Sequence, residues 1–133
     1  MWADPHPEWT LATTDVCRIS AWPQAVLPGY ACVVSTRHVI EPYELPEAEQ
    51  AQFFLDAMAA ARGLAALLQA AKMNYEIHGN TVPHLQMHLF GRMPGDVYVG
   101  SPNHCRTEST RSPAEIDNMR AAVRSQLRPR LNG

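Results

Sequence analysis

The sequence predicts an α+β domain: an antiparallel sheet with two main helices. Three observations lead there. Two apolar stretches, "DVCRISAW" and "YACVVSTRHV", are joined by a short connection that ends in the turn signal Pro28-Gly29. Apolar residues then recur at three- and four-residue spacing, and a second pair of strand-like stretches and a second helical stripe follow. The order strand, strand, helix, strand, strand, helix describes one domain spanning residues 1–133.

Taken in order, the first pair reads as an antiparallel hairpin. Its second strand, Tyr30 to Ser35, is nearly all apolar and therefore central and covered on both faces. Phe53, Ala57, Ala60, Leu64 and Leu68 form the apolar stripe of a helix from about Pro46 to Ala71, with Glu47 and Glu49 in its first turn. "MNYEIH" is a strand, Gly79-Asn80 a short turn, and "HLQMHLF" the next strand. "RMPGDVYVGSPNHC" is irregular, and its "GDVYVG" reads as a loop that folds over a site or a partner. Ser112-Pro113-Ala114-Glu115 is a capping box with proline at the first helical position, and Ile116, Met119, Val123 and Leu127 are the stripe of the helix it starts.

Composition narrows the function classes. Of 133 residues, 46% are apolar and 18% charged, with a net charge of −2. That balance argues against bulk neutralisation of nucleic-acid phosphates. Three cysteines, Cys17, Cys32 and Cys105, have no CxxC spacing, which argues against a disulfide framework or zinc cluster and suits a cytoplasmic protein. Cys17 and Cys32 read as small buried hydrophobes. The first 25 residues show no charged-then-apolar secretory pattern, and no apolar segment approaches the roughly 20 residues of a membrane span, so no membrane partner is expected.

The chemistry concentrates in "NTVPHLQMHLFGR", Asn80 to Arg92. Alternate side chains of a strand share a face, so His84, Gln86 and His88 point one way, neighbours being roughly 6.5–7 Å apart, and Leu85, Met87 and Leu89 point to the core. A solvated strand face is one reading. A metal is another, but His84 and His88 lie too far apart for one zinc without strong twist and no carboxylate or cysteine accompanies them; no metal or cofactor is expected. The third reading is an anion-handling surface. Asn74, Glu76, His78 and Asn80 share a face of the preceding strand, and Thr81 follows, so amide and imidazole donors converge.

These residues resemble the signature of the histidine triad superfamily, His-φ-His-φ-His-φ-φ with φ hydrophobic, often followed by Pro-Arg. "LPGYACVVSTRHVIEPYELPEAE" and "KMNYEIHGN" are similar to the family's flanking elements, and the resemblance runs from about residue 17 to 92. It implies a nucleotide hydrolase or transferase, of the phosphoramidate or dinucleoside polyphosphate type, and a homodimer that joins its sheets. In the family the middle histidine attacks the α-phosphorus and becomes nucleotidylated, the first orients it, and the third assists at the phosphate. These roles fall on Gln86, His84 and His88. The family's phosphate-contacting Ser/Thr falls on Thr81, and Asn74, His78 and Asn80 compete for a second phosphate contact.

The chain departs from that pattern where the chemistry is centred. The nitrogen of Gln86 is conjugated to its carbonyl and cannot carry a nucleotidyl group, although the amide still donates and accepts hydrogen bonds. Nucleotidyl transfer is therefore expected to be lost or strongly reduced. Trp22 stands where the family places the Asp or Asn that holds the ribose, and either stacks on a base or packs. Tyr30 stands in place of a family histidine, Gly91-Arg92 replaces Pro-Arg, and His38 is expected to close its strand with a structural hydrogen bond. Several explanations stay open. Gln86 is an introduced substitution that traps substrate. Or it is natural, giving a silent nucleotide-binding or interaction protein, or an enzyme in which water attacks directly with His84 or His88 as acid/base. Trp22 and Gln86 together would also suit recruitment to non-nucleotide chemistry.

Overall fold

Why the chain buries two separate sets of apolar side chains follows from the alternation in its strands. In the computed structural model, which describes residues 6–25, 27, 29–96 and 109–132, the strands are β1 (Thr10–Thr13), β2 (Cys17–Ser20), β3 (Gln24–Ala25), β4 (Ala31–Ser35), β5 (Lys72–Ile77), β6 (Gln86–Arg92) and β7 (Ser109–Thr110). Five form one antiparallel sheet in the order β1-β2-β4-β6-β5, and β3 pairs with β7 in a two-stranded ladder. The helices are α1 (Glu47–Leu68) and α2 (Pro113–Leu127). One set of strand side chains, including Ile19, Ala31, Val33, Met87 and Leu89, together with Leu85 just before β6, joins the buried faces of both helices in the main core. The other parity makes a smaller cluster of Leu27, Tyr30, Cys32 and Phe90 on the outer face, with Trp22 and Val34 packed against it. This is the α+β architecture the sequence predicts.

The expected hairpin is present: β2 and β4 pair antiparallel from Cys17 opposite Ser35 to Ser20 opposite Cys32. β4 is the central strand, and Cys32 and Val33 on its two faces are both fully buried. β1 escaped the sequence reading. A bulge between Thr10 and Ala12 buries the consecutive residues Leu11 and Ala12, which erases the two-residue period that marks a strand. The second hairpin is looser than the short turn predicted at Gly79-Asn80. Its ladder runs from Lys72 opposite Arg92 to Ile77 opposite Met87, so residues 78–85 connect the strands. His84 and Leu85 lie before the strand because the Leu85 amide donates to the Val39 carbonyl, and its own carbonyl accepts from Ser35 N–H.

α1 buries Phe53, Ala57, Ala60 and Leu64 as its spacing requires. It stops at Leu68 rather than Ala71 because Gln69 takes a left-handed conformation (φ 54) and Ala70 N–H closes onto the Ala65 carbonyl. By length and composition α1 is long and apolar enough to cross a membrane, contrary to the expectation that no segment is; its stripe is buried against the sheet, as in a core helix. α2 starts as predicted, with the Ser112 hydroxyl accepting from Glu115 N–H. "GDVYVG" from residue 97 onward, His104 and Cys105 lie outside the described residues.

One polar cluster ties the core's edges together. Asp56 of α1 is fully buried. Its carboxylate accepts from the Thr14 hydroxyl (2.7 Å) and the Gln52 amide (2.7 Å), and pairs with Arg130 at 2.6 Å. Removing one member of such a pair strands the rest without a partner. We expect Asp56→Ala to lower the unfolding free energy by about 3–5 kcal/mol, read from urea denaturation; a loss of only a few tenths would mean that the cluster is not needed to hold the edges together. The helices cross closely at Gly63, where a Cβ would come within 2.5 Å of the Ala122 carbonyl oxygen. Gly63→Ala is therefore expected to destabilise by about 1–3 kcal/mol in the same experiment, despite alanine's better helix propensity.

Candidate functional site

The position of every group in the site follows from one face of β6. Leu85, Met87 and Leu89 are 1, 4 and 0% exposed beneath the helices, so Gln86 and His88 project from the opposite, outer face, where both are half-buried. Pairing with β4 puts Cys32 opposite His88 and Val34 opposite Gln86. The Tyr30 hydroxyl lies 2.6 Å from His88 Nδ1, and the Cys32 thiol donates to Gln86 Oε1 at 3.5 Å. The Tyr30 hydroxyl also hydrogen-bonds the Cys32 thiol. Phe90 and Trp22 stack on opposite reaches of the Tyr30 ring, centroids 4.8 and 5.8 Å away. From β5, Glu76 stands opposite His88, and the His78 ring, bonded to Glu76 at 3.0 Å, lies 6.1 Å from that of His88.

His84 departs from the expectation of a shared face. It precedes β6 and is buried, 1% exposed. Its Nε2 donates to the Ser35 carbonyl at 2.8 Å, since a carbonyl can only accept. The neutral ring must then accept at Nδ1, and His38 Nδ1–H donates to it at 2.8 Å, the two rings stacked 5.0 Å apart. His38 thus supports His84 rather than merely closing its strand.

The remaining predicted residues are spread. Asn74 shares the outer face, but its carbonyl oxygen accepts from Arg92 at 2.8 Å, and Arg92 in turn grips Asp96 through two bonds of 2.9 and 3.0 Å. Asn80 and Thr81 are exposed in the 78–85 connection, and no described contact joins them to Gln86 or His88. Trp22 packs against the outer cluster, and its carbonyl accepts from the Arg111 guanidinium. Sequence reasoning missed the polar part played by Cys32. Its parity with Tyr30, the residue just before β4, carried the signal, but only the β4–β6 register shows what it meets. Among the described residues no three histidine, cysteine or carboxylate side chains converge as a metal site.

Burial sets the electrostatics. Desolvation lowers the His88 pKa below 6.5, His78 adds to the effect, and Glu76 opposes it. Desolvation also lowers that of His84, against the pull of the Ser35 carbonyl and with help from His38 and Arg18. The Cys32 thiol is pushed up to about 12 by burial, so it acts as a hydrogen-bonding thiol and not as a thiolate. The site therefore offers a neutral imidazole and an amide side by side.

An antiparallel five-stranded sheet with its helices on one face and this histidine strand between the central β4 and the edge strand β5 defines a domain of the histidine triad type. The sequence profile of the HIT domain matches residues 6–95, and the chain belongs to that family. Comparison with curated protein sequences returns no match. Among solved structures, a histidine triad protein of Bradyrhizobium japonicum superposes with a TM-score of 0.80 at 23% identity, covering 95% of this chain and 96% of that one. A HIT protein of Sinorhizobium meliloti 1021 gives 0.77 at 21%, covering 96% of each chain. A hypothetical histidine triad nucleotide-binding protein of Sulfolobus tokodaii gives 0.68 at 13%, covering 91% and 84%.

Both depressed imidazoles bind protons less readily in the folded state than in the unfolded chain. Their contribution is neutral well above 6.5, and stability is lost as pH falls through 6.5 toward the depressed folded values. Melting temperature followed by circular dichroism should be flat around neutrality and decline on that acid limb, with a shallower decline in His84→Gln. An unchanged acid limb in the variant would show that His84 is not the linked group.

Proposed function

We propose that the outer face binds a nucleotide or nucleotide-like phosphate ligand, and that Gln86 closes the family's covalent nucleotidyl-transfer route. The observation that carries this is the placement of Gln86 beside His88, with its carbonyl oxygen held by Cys32 and its amide nitrogen left to serve a ligand. The amide can donate to a phosphoryl oxygen but cannot replace the imidazole as a nucleophile. The aromatic row Trp22, Tyr30 and Phe90 supplies an apolar surface for a base, and Asn74, His78, Asn80 and Thr81 are the proposed phosphate-side contacts. A phosphate-bearing small molecule is thus the partner, rather than nucleic acid. The likeness to the hypothetical histidine triad nucleotide-binding protein of Sulfolobus tokodaii supports the same reading. We place the protein in the cytoplasm, as one domain over residues 1–133.

The test is calorimetric titration with AMP, alongside mass spectrometry for a nucleotidylated protein after incubation with diadenosine triphosphate, whose α-phosphorus carries a leaving group, on the wild type and on Gln86→His. AMP should bind both with comparable affinity, and only Gln86→His should accumulate or turn over a covalent adduct, a difference of orders of magnitude in rate. Absence of AMP binding to either protein would overturn the reading.

A homodimer is the matching proposal for assembly. β5 is an edge strand with Tyr75 and Ile77 each 44% exposed, and α1 leaves Phe54 and Leu55 54 and 53% exposed, an apolar surface that a second copy would cover. Light scattering should report twice the chain mass, reduced to the chain mass by Ile77→Glu; a monomeric wild type would refute it.

A further inference from the structure

The hydrogen bonds of the outer face run in one direction. Gln86 Oε1 can only accept, so the Cys32 thiol gives it its single proton. Cys32 Sγ, its one proton already given to Gln86, can only accept from the Tyr30 hydroxyl, the hydrogen bond that counters the effect of burial on the thiol. With its proton given to sulfur, the Tyr30 oxygen accepts from His88 Nδ1–H at 2.6 Å. A neutral imidazole has one N–H, so the lone pair of His88 lies on Nε2. The chain of bonds also leaves the Gln86 amide hydrogens as donors. Burial of His88 supports the neutral ring this assignment needs.

We infer that His88 is a general base that activates water for direct attack on the phosphorus of a bound phosphoanhydride, with the Gln86 amide donating to a non-bridging phosphoryl oxygen. The inference rests on the nucleotide-binding reading above. Alternate residues of a strand are roughly 6.5–7 Å apart, so a phosphorus seated over Gln86 leaves room for one water before His88. In the step, a water O–P bond forms, the P–O bond to the leaving phosphate breaks, and the water's proton passes to His88 Nε2. The leaving group departs as an anion and takes no proton. That requirement selects the substrate class, because His84 has both ring nitrogens engaged by Ser35 and His38, and the His78 Nε2–H is turned to Glu76 at 3.0 Å, so neither is placed as the acid. A phosphoanhydride supplies an anionic leaving group, whereas the amine of a phosphoramidate must be protonated to leave. Tyr30 is a positioning residue: it fixes the His88 tautomer and does not itself touch the reacting atoms.

The experiment uses diadenosine triphosphate bearing sulfur at one α-phosphorus as a single diastereomer, hydrolysed in ¹⁸O-labelled water. Wild type should release labelled adenosine thiophosphate with inverted configuration, the outcome of one displacement, and no nucleotidylated protein. His88→Asn should reduce kcat by about a hundredfold or more while AMP affinity holds. Tyr30→Phe should lower kcat with KM unchanged. Gln86→His should restore the histidine nucleophile and switch the product to retained configuration. Retention by the wild type, an adduct on it, full activity of His88→Asn, or no hydrolysis by a wild type that still binds AMP would each overturn the assignment of His88. Failure to bind AMP would remove the nucleotide reading and this inference with it.

Discussion

The burial of Leu85, Met87 and Leu89 beneath the helices is the constraint on which the rest of the structure depends. Each such side chain contributes on the order of 1.5–3 kcal/mol through removal from water. A slip of one residue in β6 would move all three to the outer face and drive Gln86 and His88 into the core. The register with β4 is therefore fixed by apolar contacts on one face, and the chemistry of the other face inherits that register. The site is a consequence of the core.

Two buried polar groups show how the fold allocates ionisable side chains. Asp56 is tied to Thr14, Gln52 and Arg130, and so serves to join α1 to the start of the sheet and to the chain's C-terminal turn. His84 is tied to Ser35 and His38, and so takes up a supporting place behind the strand. Both satisfy the rule that a buried polar group needs partners, and both are thereby withdrawn from contact with a ligand. The imidazoles left at the surface of the site are His88, whose Nδ1 is engaged by Tyr30, and the exposed His78, whose Nε2 is engaged by Glu76.

The replacement of imidazole by amide at Gln86 changes more than one group. An imidazole at that position would present a lone pair to a phosphate; the amide, anchored by Cys32, presents donors. Binding and transition-state stabilisation survive such an exchange better than nucleophilic attack does. The Tyr30 hydroxyl, where the resemblance places a histidine, then decides which nitrogen of His88 carries a proton. Two departures from the family pattern are thus coupled through the buried thiol of Cys32.

Much of the fold was legible because it is written in local periods. The stripe Phe53, Ala57, Ala60, Leu64, the box at Ser112 and the alternation Leu85, Met87, Leu89 each declare an element without reference to the rest of the chain. β1 was not legible, since a bulge breaks its period, and the end of α1 was set by the left-handed Gln69, which no spacing foretells. For the site, the sequence by itself determined that Gln86 and His88 share a face and that the middle position lacks a nucleophile, because parity and side-chain chemistry are local properties. Only the tertiary structure decided that His84 turns inward to His38, that Asn74 is held by Arg92, and that Tyr30 and Cys32 link His88 to Gln86. Those are contacts between residues far apart in the chain, and they exist only once the sheet register has brought the residues together.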